Sequence, residues 1–218
     1  MNLIIISATK GKKENTKLFN SFHKTPTISI KFYENNTLPL ANIYNDAIKE
    51  HKNNADWLLF IHDDVILESL ESLPRKINEL GDNYDVIGLA GSTEAKLQSP
   101  VLWHLMSDRS KHRGAVAHLM NNSKYMTSFG PYPSRVVIID GVFIAVKTKV
   151  VEEITFDESN PAGFHFYDLD FSMACHKAGF KVGVGDITIT HASPGLREFT
   201  DEWKSGEKWF LNKWKPQN

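Results

Sequence analysis

In WLLFIHDDVIL, residues 57–67, two adjacent aspartates follow directly on a five-residue apolar run. Asp63 and Asp64 carry like charges, and their apolar flanks leave little water to screen them. A divalent cation would relieve that repulsion. Mg2+ and Mn2+ prefer oxygen ligands and commonly take one or two protein carboxylates, completing the shell with water and substrate phosphates. A helix-capping Asp beside a solvated one would account for the pair equally well. A second acidic group stands in FHFYDLDFSMACHKAGF, residues 164–180. A helix beginning near Tyr167 carries Asp168 and Asp170 in its first turn, where the helix dipole favours anions. A carboxylate held there against a cleft can act as a general base; simple capping is the plainer reading. His191 closes the apolar run VGVGDITIT. A neutral imidazole after a strand can ligate a metal, although a lone histidine is more often a surface or satisfied core residue. His62, His104, His112, His118 and His165 show no spacing of a closed zinc site, and the single cysteine, Cys175, cannot complete one.

These groups need a frame that gathers them. LIIISA, residues 3–8, reads as a strand buried on both faces. Residues 27–33 alternate and predict a second strand. Leu40, Ile43, Tyr44, Ala47 and Ile48 share one face of a helix over 40–51. Strands are expected at 57–61 and 84–90, with a helix at 70–80 between them. This alternation predicts an α/β fold with a largely parallel sheet. Open sheets of that kind bind ligands beyond the C-terminal ends of their strands, where Asp63 and Asp64 fall. The second half is less regular. Short strands are expected at 101–106, 115–119, 136–139, 142–146, 181–184 and 187–190, with a helix at 167–178 closed by Gly179. Around the short strand at 115–119, residues 107–134 read as loop, most plainly over 121–134, either solvated or a lid. The aromatics of 200–214 either pack on the body of the domain or meet a membrane surface.

The bulk composition narrows the classes. In 218 residues, 25 basic and 26 acidic side chains leave a net charge of -1, which offers no attraction to nucleic acid. One cysteine excludes an internal disulfide and fits a reducing cytoplasm. The apolar start is too short for a secretory leader, and no run reaches the roughly 18–20 apolar residues of a membrane span. No repeat or linker divides the chain, so one domain is the simplest expectation.

The order of these segments resembles that of the inverting glycosyltransferases of the GT-A fold, in the broad family 2 class. IIISA and Thr9 are similar to the first strand and nucleotide-binding turn. LPLANIYNDAIKEHKNNADWLLFIHDDVIL resembles the run in which an Asn-bearing helix, here with Asn45, precedes the aspartate motif. IIDGVFIAVK is similar to the donor-pocket segment, FHFYDLDFSMACHKAGFKVGV to the acceptor-side motif, and ITITHAS brings the late histidine. Two departures stand out. The aspartate motif opens with His62 where many relatives have Asp, and the acid pair usually written Glu-Asp is Tyr167-Asp168.

The resemblance implies a Rossmann-like GT-A fold, with a nucleotide-binding half over about 1–95 and an acceptor-side half over about 96–218. It implies a nucleotide-sugar donor, most often a UDP-sugar, and Mn2+ or Mg2+ held by Asp64 and His191. Ser7, Ala8, Thr9 and Glu34 would meet the nucleoside. Asn45, His62, Asp63, Trp103, Asp140 and Gly141 would complete the donor site. The base is Asp168 or Asp170, with Asp168 preferred because it occupies the Asp of the pair. The acceptor would be a glycan, a lipid-linked glycan or another hydroxyl, met in the cytoplasm or at the inner face of the membrane; homo-oligomerisation is left open. Two rivals remain: a haloacid-dehalogenase-type phosphohydrolase using DLDFS, residues 168–172, and a nucleotide-sugar-binding module without turnover.

Overall fold

The computed structural model describes residues 1–23, 28–193, 195 and 198–215. Its first half runs β1 (Leu3–Ala8), α1 (Lys17–Ser21), β2 (Ile28–Tyr33), α2 (Leu40–His51), β3 (Trp57–Ile61), β4 (Val65–Leu67) and α3 (Leu73–Gly81). β5 (Val86–Gly88), β6 (Ala90–Ser92), β7 (His112–Met120), β8 (Ser123–Gly130), β9 (Ser134–Arg135), β10 (Ile138–Ile139) and β11 (Phe143–Lys147) follow. The chain ends with α4 (Thr148–Val151), α5 (Tyr167–Lys177), β12 (Val182–Val184), β13 (Ile189–His191) and α6 (Asp201–Trp214).

Seven strands form the main sheet in the order β2-β1-β3-β11-β5-β12-β9. β1 pairs in parallel with β2 and β3, and β5 with β12. β11 runs antiparallel between β3 and β5, and β9 antiparallel to β12. The sheet is therefore mixed rather than mostly parallel. Every residue of WLLFI is buried, because β3 lies inside the sheet and both its faces are covered. Leu59 and Ile61 point into one core, with Leu73 and Ile77 of α3. Leu58 and Phe60 point into the other, with Tyr44 of α2 and Phe171 of α5. The Phe60 ring lies 4.6 Å from Tyr44 and 5.1 Å from Phe156. Truncating so enclosed a ring to Ala costs about 3–5 kcal/mol in comparable cores.

A second sheet, ordered β10-β6-β7-β13-β4 with β8 outside β7, abuts the first. The chain passes between the sheets at three places that matter for function. His62–Asp64 carries it from β3 to β4, Leu89 from β5 to β6, and Asp140–Val142 from β10 to β11. The last passage returns the chain into the main sheet in the reverse direction, which is why β11 breaks the parallel pattern.

Several expectations change here. The strand expected at 84–90 is split at Leu89 between two sheets. Residues 101–106 are turns rather than strand. The expected loop over 121–134 is largely β8, paired antiparallel to β7 across Asn121 and Asn122. Both asparagines have positive φ, 51° and 61°, as a two-residue hairpin turn of the type I′ kind requires. β8 escaped notice because it is mostly exposed and shows no apolar alternation. Gly114, at φ +96°, marks a bulge in β7 that any side chain would strain. The expected strand 27–33 is seen from Ile28; Thr27 lies outside the described residues.

The C-terminal aromatics pack on the body of the protein. Thr200 caps α6, its Oγ1 accepting from Trp203 N at 3.2 Å. Trp203 and Phe210 are buried, with Trp203 5.2 Å from the Phe166 ring. Among the described residues no helix is long and apolar enough to cross a membrane.

Candidate active site and metal centre

The passages between the sheets are bonded to one another. His62 N donates to Val142 O at 3.3 Å, and Asp140 N donates to Ala90 O at 2.9 Å. Ala192 N donates to Asp64 O at 3.0 Å, which fixes His191 beside the aspartate motif. A cavity of about 500 Å³ opens over this seam, lined in part by His62, Trp103, Asp140, Gly141, Asp168 and His191. Phe164, His165 and Trp203 form its other wall.

His62, Asp64 and His191 each present one ligand atom, and the three atoms lie within 4.8 Å of one another. Asp64 Oδ1 and His191 Nε2 are 3.2 Å apart, an ion-pair distance, and both atoms are buried with no well-formed hydrogen bond to any other described group. Buried polar atoms so poorly satisfied invite a bound group between them. Two imidazoles and a carboxylate are a donor set suited to a divalent ion. Burial would raise the Asp64 carboxyl, but His191 and His62 outweigh it and hold the group below its ordinary value. Burial, then His191, pushes the His62 imidazole down, toward the neutral form that ligates metals. His62 was expected in the donor pocket; the structure groups it with Asp64 and His191.

The start of α5 faces the same cavity. Gly141 packs so closely on it that a Cβ would lie 2.8 Å from Tyr167 Cζ and 2.9 Å from Asp168 Cβ. The Asp168 carboxyl is pushed up to about 7, first by burial and then by the neighbouring Asp140 charge, against the backbone N–H groups of Leu169, Asp168 and Gly141. A base near 7 is matched to work at neutral pH. Tyr167, absent from the expected site, is buried; its hydroxyl donates to Gly141 O at 3.1 Å and meets His62 Nε2 at 2.8 Å. The only sequence hint was its place beside Asp168.

Asp140 is held in place from both sides. Its Oδ1 accepts from Val142 N at 3.0 Å, and its Oδ2 accepts from Trp103 Nε1 at 3.0 Å. Trp103 thus reaches the cavity from a turn, not from the strand expected there. Ser7, Ala8 and Thr9 end β1 away from the cavity wall; Thr9 N donates to Tyr33 O at 2.9 Å. Glu34 accepts from Lys13 N at 3.1 Å. Asp63 is half-buried and takes Leu18 N on its backbone carbonyl at 3.1 Å.

Asn45 and Asp170, like Ser7, Ala8, Thr9, Glu34 and Asp63, do not line the cavity. Asn45 is tied to the chain after α4: its Nδ2 donates to Phe156 O at 2.8 Å, and its Oδ1 accepts from Phe156 N at 3.0 Å. Asp170 is 2% exposed and turned toward α6, where Lys213 Nζ and Trp214 Nε1 donate to it at 2.8 and 2.9 Å. Its neighbours make it a clasp for α6.

Residues 4–214 match the model of the Glycosyltransferase like family, and the chain belongs to that family. The Streptomycin biosynthesis protein StrF of Streptomyces griseus is 25% identical over 181 residues, 81% of this chain and 61% of StrF. The chain therefore spans about six tenths of that curated relative. The mannosyltransferase PcManGT from Pyrobaculum calidifontis, solved with GDP-Man and Mn2+, superposes with a TM-score of 0.52 at 11% identity, covering 89% of this chain and 57% of that one. TarS from S. aureus, residues 1 to 349, gives 0.50 at 16% identity, covering 89% and 61%. The fold is that of the GT-A glycosyltransferases.

Proposed function

We propose that the protein transfers a sugar from a nucleoside-diphosphate donor, UDP being the first base to test, to a hydroxyl acceptor with inversion, assisted by a divalent ion. One observation carries this reading. Two histidines of a metal-competent His-Asp-His group and a half-buried, near-neutral carboxyl line one cavity in a chain of this family.

His62, Asp64 and His191 would hold Mn2+ or Mg2+. The bound ion supplies Lewis-acid neutralisation of charge on the leaving nucleoside diphosphate. Asp168 accepts the proton of the acceptor hydroxyl as that oxygen bonds to the anomeric carbon. The bond from that carbon to the diphosphate oxygen breaks on the opposite face, so a single displacement inverts the centre. Trp103, Asp140 and Gly141 border the sugar, and the Trp103–Asp140 bond keeps that carboxylate from turning. Ser7, Ala8, Thr9, Glu34 and Asp63 serve the nucleoside side. The chain acts as one unit, its nucleotide half over about 1–95 and its acceptor half over about 96–218. A glycan or lipid-linked acceptor on the cytoplasmic side fits this reading, with no nucleic acid involved. The phosphohydrolase alternative needs Asp168 and Asp170 as a working pair; Asp170's commitment to Lys213 and Trp214 speaks against it.

Calorimetric titration of UDP, GDP and other nucleoside diphosphates with and without Mn2+, repeated on Asp64→Ala, tests the donor site. Metal-dependent binding abolished by the substitution is expected. No binding of any nucleoside diphosphate would remove the proposal. Proton NMR of the first product then reads the anomeric configuration.

A further inference from the structure

Tyr167 has one proton to give, with Gly141 O and His62 Nε2 in hydrogen-bond reach and the Tyr44 hydroxyl beside them. Its hydroxyl lies 3.1 Å from Gly141 O and 2.8 Å from His62 Nε2. The hydroxyl can donate to only one of the two. If it donated to His62 Nε2, the neutral ring would carry its hydrogen on Nδ1 and have no nitrogen left for an ion. If it donates to Gly141 O, which can only accept, the contact with His62 requires a hydrogen on Nε2; a metal-ligating His62 takes this second arrangement. In the neutral ring that leaves the lone pair on Nδ1.

We propose that Tyr167 is a positioning residue that locks His62 in its Nε2–H tautomer, so that Nδ1 becomes a nitrogen ligand. This rests on the metal-assisted reading above and adds the identity of the third ligand atom and the device that sets it. Partners that orient a metal-bound imidazole are worth about 10- to 100-fold in affinity. The same hydroxyl closes on Gly141, whose backbone packs against Asp168. Tyr167 thereby ties the metal ligand, the donor-pocket glycine and the base-bearing helix to one another.

The test is made on the full chain without donor. Long-range 15N–1H correlation of the histidine rings, assigned with His62→Gln, should show His62 as the Nε2–H tautomer. Tyr167→Phe keeps the ring and removes the hydroxyl. It should lose that tautomer preference and bind Mn2+ about 10- to 100-fold more weakly, read from the EPR signal of free Mn2+. Thermal unfolding of the variant checks that the fold is kept. In the double variant Tyr167→Phe/His62→Gln, Mn2+ affinity should equal that of His62→Gln alone, because the tyrosine acts through the histidine. An Nδ1–H tautomer, undiminished Mn2+ binding by Tyr167→Phe, or additive losses in the double variant would each overturn the inference while leaving metal assistance standing. Failure of the wild type to bind Mn2+, even with a nucleoside diphosphate present, would overturn both.

Discussion

Asp168 and Asp170 share the first turn of one helix and have opposite surroundings. Asp168 faces the cavity and lies beside the carboxylate of Asp140, with no cation against it among the described residues. Asp170 faces α6 and is met by an ammonium and an indole N–H. Burial raises both carboxyls. For Asp170, Lys213 and Trp214 work against the rise, whereas Asp140 adds to the rise at Asp168. The lesson is that partners, more than position in a helix, separate two acids: Asp170 is made structural by the cation and indole that meet it, whereas Asp168 opens on the cavity. Lys213 also reaches Asp157 at 2.6 Å, so the clasp joins three segments.

Substitution breaks the comparison most directly. Asp168→Asn should lower turnover by about 10²–10⁴-fold, the usual value of a general base, while donor affinity is kept. Activity that survives, or that is lost instead in a folded Asp170→Asn, would exchange the two roles. The pH dependence comes next. Asp168 must be ionised to accept a proton, so kcat/KM should fall about tenfold per unit below about 7. Stability should run the other way. The folded carboxyl titrates above its unfolded value, so the folded state holds a proton that the unfolded chain has released. The stabilisation this brings is full below the unfolded pKa and is lost as pH rises through about 7. Unfolding temperatures across pH 4–8 should therefore lose part of their slope in Asp168→Asn.

Asp170→Asn should leave turnover within a few-fold but destabilise by about 2–3 kcal/mol, because a buried charged hydrogen bond is lost and Lys213 is left underpaired. Denaturant melts would measure it. The smallest effect expected is that of Trp214→Phe, about 1 kcal/mol for one indole hydrogen bond. An effect of that size on stability with none on activity would sharpen the view of α6 as a fastened wall of the cavity.

Much of the fold was legible locally. β1, β3 and α2 announced themselves because buried strands and one-sided helices write their burial into consecutive residues. β8 did not, because an exposed edge strand has no buried face to record. The split of Val86–Ser92 between two sheets left no mark either, since Leu89 is as apolar as its neighbours on both sides. Trp103 read as a strand residue; only the folded chain shows that it leaves a turn to reach Asp140, 37 residues later.

The site divides in the same way. HDD, Tyr167-Asp168 and the late His191 were visible as motifs, and their order pointed to the family that the chain belongs to. The two departures from the resembled pattern, His62 and Tyr167, looked unrelated in sequence, yet they touch across 105 residues. Spacing alone could say that residues two apart on a helix point about 200° away from each other, and so that Asp168 and Asp170 could not share one task. It could not say which of them faced the cavity. That was decided by α6, which brings Lys213 and Trp214 to Asp170, and by the return of the chain through Gly141, which closes over Asp168. Residue types and periodicity record what each segment buries; which side chains meet is settled by segments far away in the chain.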